Sequence, residues 1–350
     1  MIKIHNNFRG GNISVVSQTE TDVFLENELR DTGDSVTDWF YWAFCIEGAE
    51  NKEITFHMQR NRLGHWGPAV SHDLEHWSWL DSCDGDSFTY HFSATENKVY
   101  FAHHILYPTE RFFDLAKRYN LTVTELCTSK RGRSVPCLQF GEGAKTILLT
   151  ARHHACESPG SYVLEGVLEE ILSFPLPDAR ILCVPFVDYD GVLDGDQGKA
   201  RAPHDHNRDY IDEHIYPETA AIHSFAKQYG CNYAFDFHAP WHKGGENDNI
   251  FIVRNRVDRS DAYDDFATIL ENECSSDTMT YQKENDHPAC TGWNQPSPNF
   301  SYTMHLKNEC KLAFSLENTY FGSEGNVVSP QRLLGLGKAF ARALKKYMLD

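Results

Sequence analysis

The sequence predicts an α/β protein in two parts: an N-terminal antiparallel β-sandwich over residues 1–105, then a mixed-sheet α/β domain over 106–350 with helices on both faces. Three observations predict it. Up to residue 105 the chain runs in short alternating stretches separated by turns, without intervening helices. From residue 145 onward apolar runs alternate with helix-period segments, the order of a sheet covered by helices. At several of the later strand ends sit histidines, carboxylates and an arginine, which is where open α/β sheets hold their sites.

In the first part, strands are expected at 12–17, 39–46, 53–59, 87–92 and 98–102. Five of the seven tryptophans fall here, Trp39, Trp42, Trp66, Trp77 and Trp79; packing of a thin sandwich is the expected reason, with a carbohydrate-binding face as the alternative. A connecting helix is expected at 109–119, and Gly132 with Lys130, Arg131 and Arg133 marks a hairpin turn between strands 121–127 and 134–140. Strands at 145–151, 180–187, 232–237, 249–253 and 311–316 then alternate with helices at 161–172, 217–229, 260–273 and 329–349. No internal repeat or low-complexity segment interrupts this order.

The 350 residues exceed the roughly 150 of a single domain, in keeping with two parts. Hydrophobic residues at 41% and charged residues at 23% are ordinary globular usage, which argues against extensive disorder. A net charge of -18 argues against nucleic acid or an anionic membrane as the main partner. The start of the chain lacks the apolar core of a signal peptide, and no run approaches the roughly 18 apolar residues of a membrane span, so a cytoplasmic location is expected. Ten cysteines, scattered from Cys45 to Cys310 without a CxxC pair, read as reduced and mostly buried thiols. Composition is silent on the oligomeric state.

The stretch from Lys145 to Gly160 organises the rest. A strand ends at His153, His154, Cys156 and Glu157, and Ser158 with Pro159 reads as the N-cap and first position of a helix whose apolar face carries Val163, Leu164, Val167, Leu168 and Ile171. His154-x-x-Glu157 lets an imidazole and a carboxylate converge on one ion, and a zinc site that does chemistry needs a third ligand plus an open position. Cys156 as a ligand would close the site, whereas as a small core side chain it would not; His153 with Cys156 is a competing pair. Three further clusters fall beyond other strand ends: Asp188 to Gly191 and the loop His204-Asp205-His206-Asn207-Arg208; Asp236 with His238; and Glu317 with Asn318. Distant segments thus deliver His, Glu, Arg and Asn to one edge of a sheet.

With these residues assembled, the chain resembles the zinc metallocarboxypeptidases of the M14 class, and within it the cytosolic carboxypeptidase subgroup. Arg152-x-His154-x-x-Glu157 is similar to that subgroup's zinc motif, His238 behind Asp236 to its later histidine ligand, Asn207-Arg208 to its pair for the terminal carboxylate, and Glu317 to its catalytic glutamate. The front of the chain resembles the subgroup's N-terminal sandwich in Trp39-Phe40-Tyr41, in Gly67 to Asp73 through Trp77, and in Tyr100-Phe101-Ala102. The resemblance implies one Zn²⁺ on His154, Glu157 and His238, with Glu317 as general base for a water that attacks the last peptide bond of a peptide or protein. It further implies a cation at the scissile carbonyl, for which Arg201 is the first choice and Lys199 the second, and a capping tyrosine, for which Tyr302 is nearest. Asp236 is expected to orient a ligand imidazole. Because relatives in the subgroup include deglutamylases, acidic C-termini are candidate substrates. The chain departs from the family at Val187-Asp188-Tyr189-Asp190-Gly191, where Asn-Pro-Asp-Gly is usual. The alternatives are a zinc amide deacylase of aspartoacylase type and a catalytically inactive, metal-containing protein that binds peptides or glycans.

Overall fold

The computed structural model describes residues 2–30, 32, 39–59, 62–199, 201–307 and 310–349. The first part comprises β1 (Lys3–His5), β2 (Ser14–Gln18), β3 (Asp22–Glu26), β4 (Ala43–Glu47), β5 (Glu53–Met58), β6 (Ala69–Ser71), β7 (Trp77–Trp79), β8 (Ser87–His91) and β9 (Lys98–Ala102). Among the described residues these form one sheet of order β1-β4-β9-β6-β7 and another of order β2-β3-β5-β8. Along β5 Ile54, Phe56 and Met58 are buried while Glu53 is exposed, the period of two that a half-buried strand imposes. From both sheets Phe44, Phe56, Phe88 and Phe101 meet at centroid distances of 4.9–5.3 Å for Phe56–Phe88, Phe44–Phe56 and Phe88–Phe101. Burial of each such ring is worth about 1.5–3 kcal/mol, and together they hold the sandwich.

Two features differ from expectation. Strand β3 pairs with β5 in parallel, so the sandwich is not wholly antiparallel. The segment 39–42 is buried yet lies outside β4, because the backbone N–H groups of Phe40 and Tyr41 donate to Gln197 Oε1 at 2.7 and 3.1 Å rather than to a neighbouring strand.

The second part begins with α1 (Glu110–Arg118), β10 (Thr124–Thr128), β11 (Ser134–Phe140), β12 (Lys145–Ala151), α2 (Ser158–Ser173), β13 (Ala179–Val184), α3 (Tyr189–Asp194), α4 (Pro217–Tyr229) and β14 (Tyr233–His238). It continues through β15 (Phe251–Val253), α5 (Ser260–Glu273), α6 (Phe300–Lys307), β16 (Leu312–Glu317) and α7 (Pro330–Leu349). The sheet runs β10-β11-β13-β12-β14-β16-β15, with β13, β12, β14 and β16 parallel and the outer pairs antiparallel. Ile147 and Leu149 of β12 and Phe235 of β14 pack under α2, α5 and α7, while Leu148 and Ala234 pack on the opposite face with Ile222 of α4 and Met304 of α6. Helices therefore cover both faces, and the parallel strands send their C-terminal ends to a common edge.

The sequence reading missed α3 and α6. The Asp188 side chain accepts from Gly191 N at 3.0 Å and Gly195 closes α3 with φ +75°, so the aspartate-rich turn becomes a capped helical turn. The sandwich docks through its tryptophans: Trp66 Nε1 donates to Phe321 O and Trp79 Nε1 to Val328 O, each at 2.9 Å. Trp39 and Trp42 are buried, so the aromatic density of the first part serves packing rather than an open glycan-binding face.

Candidate active site

Strand β12 ends at Ala151, and Arg152 turns the chain with φ +63°. Backbone bonds from Val187 N to Ala151 O and from Asp188 N to Arg152 O hold this turn. Helix α2 begins at Ser158, so its N-cap falls one residue earlier than expected, at Glu157, and Ser158 donates its hydroxyl to Ile105 O. A Cβ at Gly160 would lie 2.2 Å from Phe237 O, so glycine alone lets the start of α2 lie against the end of β14. That approach brings Glu157 to His238.

His154 Nδ1 lies 2.7 Å from Glu157 Oε1, and His238 Nδ1 lies 2.7 Å from Glu157 Oε2. A ligand atom from each of His154, Glu157 and His238 falls within 4.8 Å of the others. Two convergent imidazoles and a carboxylate, His154 half-buried and Glu157 and His238 buried, form a donor set that suits a divalent ion. Asp236 accepts from His238 Nε2 and also meets His153 Nδ1, whose Nε2 is bonded to Tyr210 at 2.7 Å. His153 is thus committed on both nitrogens, and Asp236 fixes His238 with Nδ1 toward Glu157. Cys156 packs inward, its sulfur 3.3 Å from the Tyr320 hydroxyl.

Glu317 ends β16 directly beside His238 on β14. Its Oε2 is shielded and has no hydrogen-bond partner among the described residues, and Glu317 lines the same cavity as His154, Glu157 and His238. Burial pushes the Glu317 carboxyl up, the nearby Glu157 charge adds to this, and His238 and Lys199 oppose it. For Glu157 burial works in the same upward direction, but Lys199 and the two imidazoles outweigh it and hold that carboxyl well below the usual range. Neighbouring carboxylates are thereby pushed apart in acidity, which suits one for holding a cation and the other for moving a proton.

The cavity has a volume of about 370 Å³. Asn207 and Arg208 line it; Asn207 is buried, with Nδ2 3.3 Å from His238 Nε2 and Oδ1 accepting from Phe300 N at 3.2 Å. Arg208 is exposed, and among the described residues no carboxylate lies within 4.0 Å of it.

Arg201 requires a correction. Its guanidinium is paired with Asp188 at 2.6 Å and Asp196 at 3.1 Å and lines a separate cavity with Lys130, Asp190 and Glu218. Lys199 lines the cavity of the ligand set instead, with Nζ 2.8 Å from Glu157 Oε1 and bonded to Ala239 O and Pro240 O. The buried aspartates outcompete the site for the arginine. Tyr302 is also misplaced by the sequence reading: it sits on α6 and lines another cavity, with Tyr210, Asp212, Pro298 and Leu306. In the histidine-rich loop His204 bonds Asp209 at 2.7 Å and His206 stacks on Tyr216, so both order the loop. Trp241, Glu246, Trp293, Asn294 and Ser315 line the cavity and were not singled out from the sequence. The available signal was a tryptophan in each of two turn-rich segments, one of them directly after His238-Ala239-Pro240.

Residues 4–104 match the family model described as the cytosolic carboxypeptidase N-terminal domain. An uncharacterized protein of Zymomonas mobilis is 27% identical over 259 residues, covering 68% of this chain and 67% of that protein. Cytosolic carboxypeptidase 2 of Xenopus tropicalis is 30% identical over 167 residues, covering 39% of this chain and 17% of that protein. The chain is thus similar to the cytosolic carboxypeptidases, most directly through its N-terminal residues 4–104. The fold of the chain recurs in solved structures. A metallo-carboxypeptidase of Burkholderia cenocepacia superposes with a TM-score of 0.82 at 17% identity, covering 99% of this chain and 98% of that one. One of Pseudomonas aeruginosa, in complex with (2-guanidinoethylmercapto)succinic acid, superposes with a TM-score of 0.81 at 20% identity, covering 99% of each chain.

Proposed function

We propose that this protein is a zinc-dependent carboxypeptidase of the M14 class that hydrolyses the C-terminal peptide bond of peptides or proteins. The observation that carries the reading is the unpartnered, shielded Glu317 Oε2, lining one cavity with three convergent ligand-type side chains and the exposed Arg208. His154, Glu157 and His238 would hold the ion, which when bound supplies Lewis-acid activation of water and of the scissile carbonyl.

The chain's own residues do the rest. Glu317 accepts the proton of the attacking water on its unpartnered oxygen and passes it to the leaving amine. Lys199, rather than Arg201, donates to the carbonyl oxygen as negative charge develops there. Arg208 offers a planar fork to the terminal carboxylate with the Asn207 amide beside it, and a fixed anchor limits cleavage to the last bond. The cytoplasm is the proposed location, since ten dispersed cysteines need no oxidising compartment. Among the described residues no helix is long and apolar enough to cross a membrane.

The test is mass spectrometry of peptides with free and amidated C-termini after incubation with zinc-loaded protein, with Glu317→Gln as the control. Stepwise trimming of free C-termini alone, absent in the control, is expected. Hydrolysis confined to acylated amino acids would replace this reading with the deacylase, and no hydrolysis with bound zinc would replace it with a binding protein.

A further inference from the structure

The mouth of the cavity carries two indoles that face water. Trp241 is 45% and Trp293 54% exposed, and they are the exposed large apolar side chains that line this cavity among the described residues. Exposed apolar surface placed at a cleft marks a binding face.

Both are held in place. Trp293 stacks on His287 with ring centroids 4.4 Å apart and donates Nε1 to Glu246 Oε1 at 2.8 Å. The next residue, Asn294, is buried and ties the loop to Arg254 O at 2.6 Å and Pro288 O at 3.0 Å. On the other segment, Lys199 bonds the carbonyls of Ala239 and Pro240 immediately before Trp241, whose ring meets Phe40 edge-on at 5.9 Å. Faces fixed before a ligand arrives lose little entropy on binding. Outside the ligand set and Glu317, Glu246 is the one acidic side chain among the described residues that line the cavity, and it is exposed beside Trp293.

We infer that Trp241, Trp293 and Glu246 form a subsite for a lysine or arginine side chain on the N-terminal side of the bond to be cut. The inference rests on the carboxypeptidase reading for its direction: a peptide anchored through its carboxylate at Arg208 must leave the cavity past the exposed lining residues. An indole face attracts a cation through its quadrupole, and the Glu246 carboxylate and the net charge of -18 favour positive over negative side chains. Polyacidic segments, candidates by resemblance, are disfavoured at this position.

The experiment measures binding, so that it does not depend on turnover. Peptides identical at the C-terminus and carrying Lys, Arg, Ala, Trp or Glu at the two positions before the scissile bond are titrated into zinc-loaded Glu317→Gln protein by calorimetry. Lys and Arg peptides are expected to bind about fivefold more tightly than Ala peptides, the size of a modest cation–π contact, with Glu weakest. Trp293→Ala should remove most of that ratio, Trp293→Phe should keep part of it, and Glu246→Gln should reduce it and its salt dependence; circular dichroism and zinc content confirm that each variant folds. Equal affinity across the series, tightest binding of the Trp peptides, or a Lys preference unchanged in both Trp241→Ala and Trp293→Ala would overturn the subsite. A retained Lys preference in a protein whose wild type hydrolyses nothing supports the subsite while the carboxypeptidase reading fails.

Discussion

The sandwich core and the C-terminal edge of the seven-stranded sheet are both deeply buried, yet they are built from opposite materials. Around Phe56 the neighbours are Phe44, Phe88 and Phe101, with no charge to satisfy. At the sheet edge His153, Glu157, Asp236 and His238 are all shielded, and each polar atom is accounted for by another ionisable group or by backbone. Burying charge is expensive unless it is paired, so such an edge is maintained for chemistry at the expense of stability. On the proposed function, the contrast separates residues whose loss unfolds the chain from residues whose loss silences it.

The largest expected effect lies at the edge. Glu317→Gln should lower kcat by about 10²–10⁴-fold, the range for loss of a general base, with zinc content and thermal midpoint close to wild type; a rate assay beside metal analysis checks it. In the sandwich, Phe56→Ala should cost about 3–5 kcal/mol of stability and leave kcat of the folded fraction intact, read by denaturant melts. Lys199 and Arg201 then test the contrast within one loop. Lys199→Ala should reduce kcat by about 10²-fold or more through loss of a donor to the developing oxyanion, while Arg201→Ala should mainly destabilise, because Asp188 and Asp196 would remain buried with one cation fewer. If Arg201→Ala proves the worse for kcat at equal stability, the assignment of the two cations is reversed. Smallest is Arg208→Ala, expected to raise KM about tenfold for free C-termini, the worth of a charged hydrogen bond at an exposed site, with little change for amidated peptides.

Most of the architecture was legible because it is local. The bounds of α4 and α5 follow from the 3.6-residue period, and Ala151 to Glu157 from an apolar run meeting polar ligand types. What escaped was short or conditional. Helix α3 depends on Asp188 turning back to cap Gly191, and the N-cap of α2 shifts to Glu157 because the Ser158 hydroxyl is drawn to Ile105 O. The parallel pairing of β3 with β5 is a choice between sheet partners, to which hydrophobic alternation is indifferent.

The sequence by itself determined which residue types reach the edge of the sheet: His154 and Glu157 by their spacing, and His238 and Glu317 by ending strands that prove to be neighbours. Only the tertiary structure decided which cation serves the cavity and what lines its mouth. Lys199 and Arg201 are two residues apart, and nothing in that spacing says that Asp188 and Asp196 would hold the arginine elsewhere. Trp241 and Trp293 are 52 positions apart and share a cavity only because the loops after β14 and before α6 border the same site. Strand ends are aimed by backbone periodicity, whereas side chains in irregular loops are aimed by whichever distant partner binds them best.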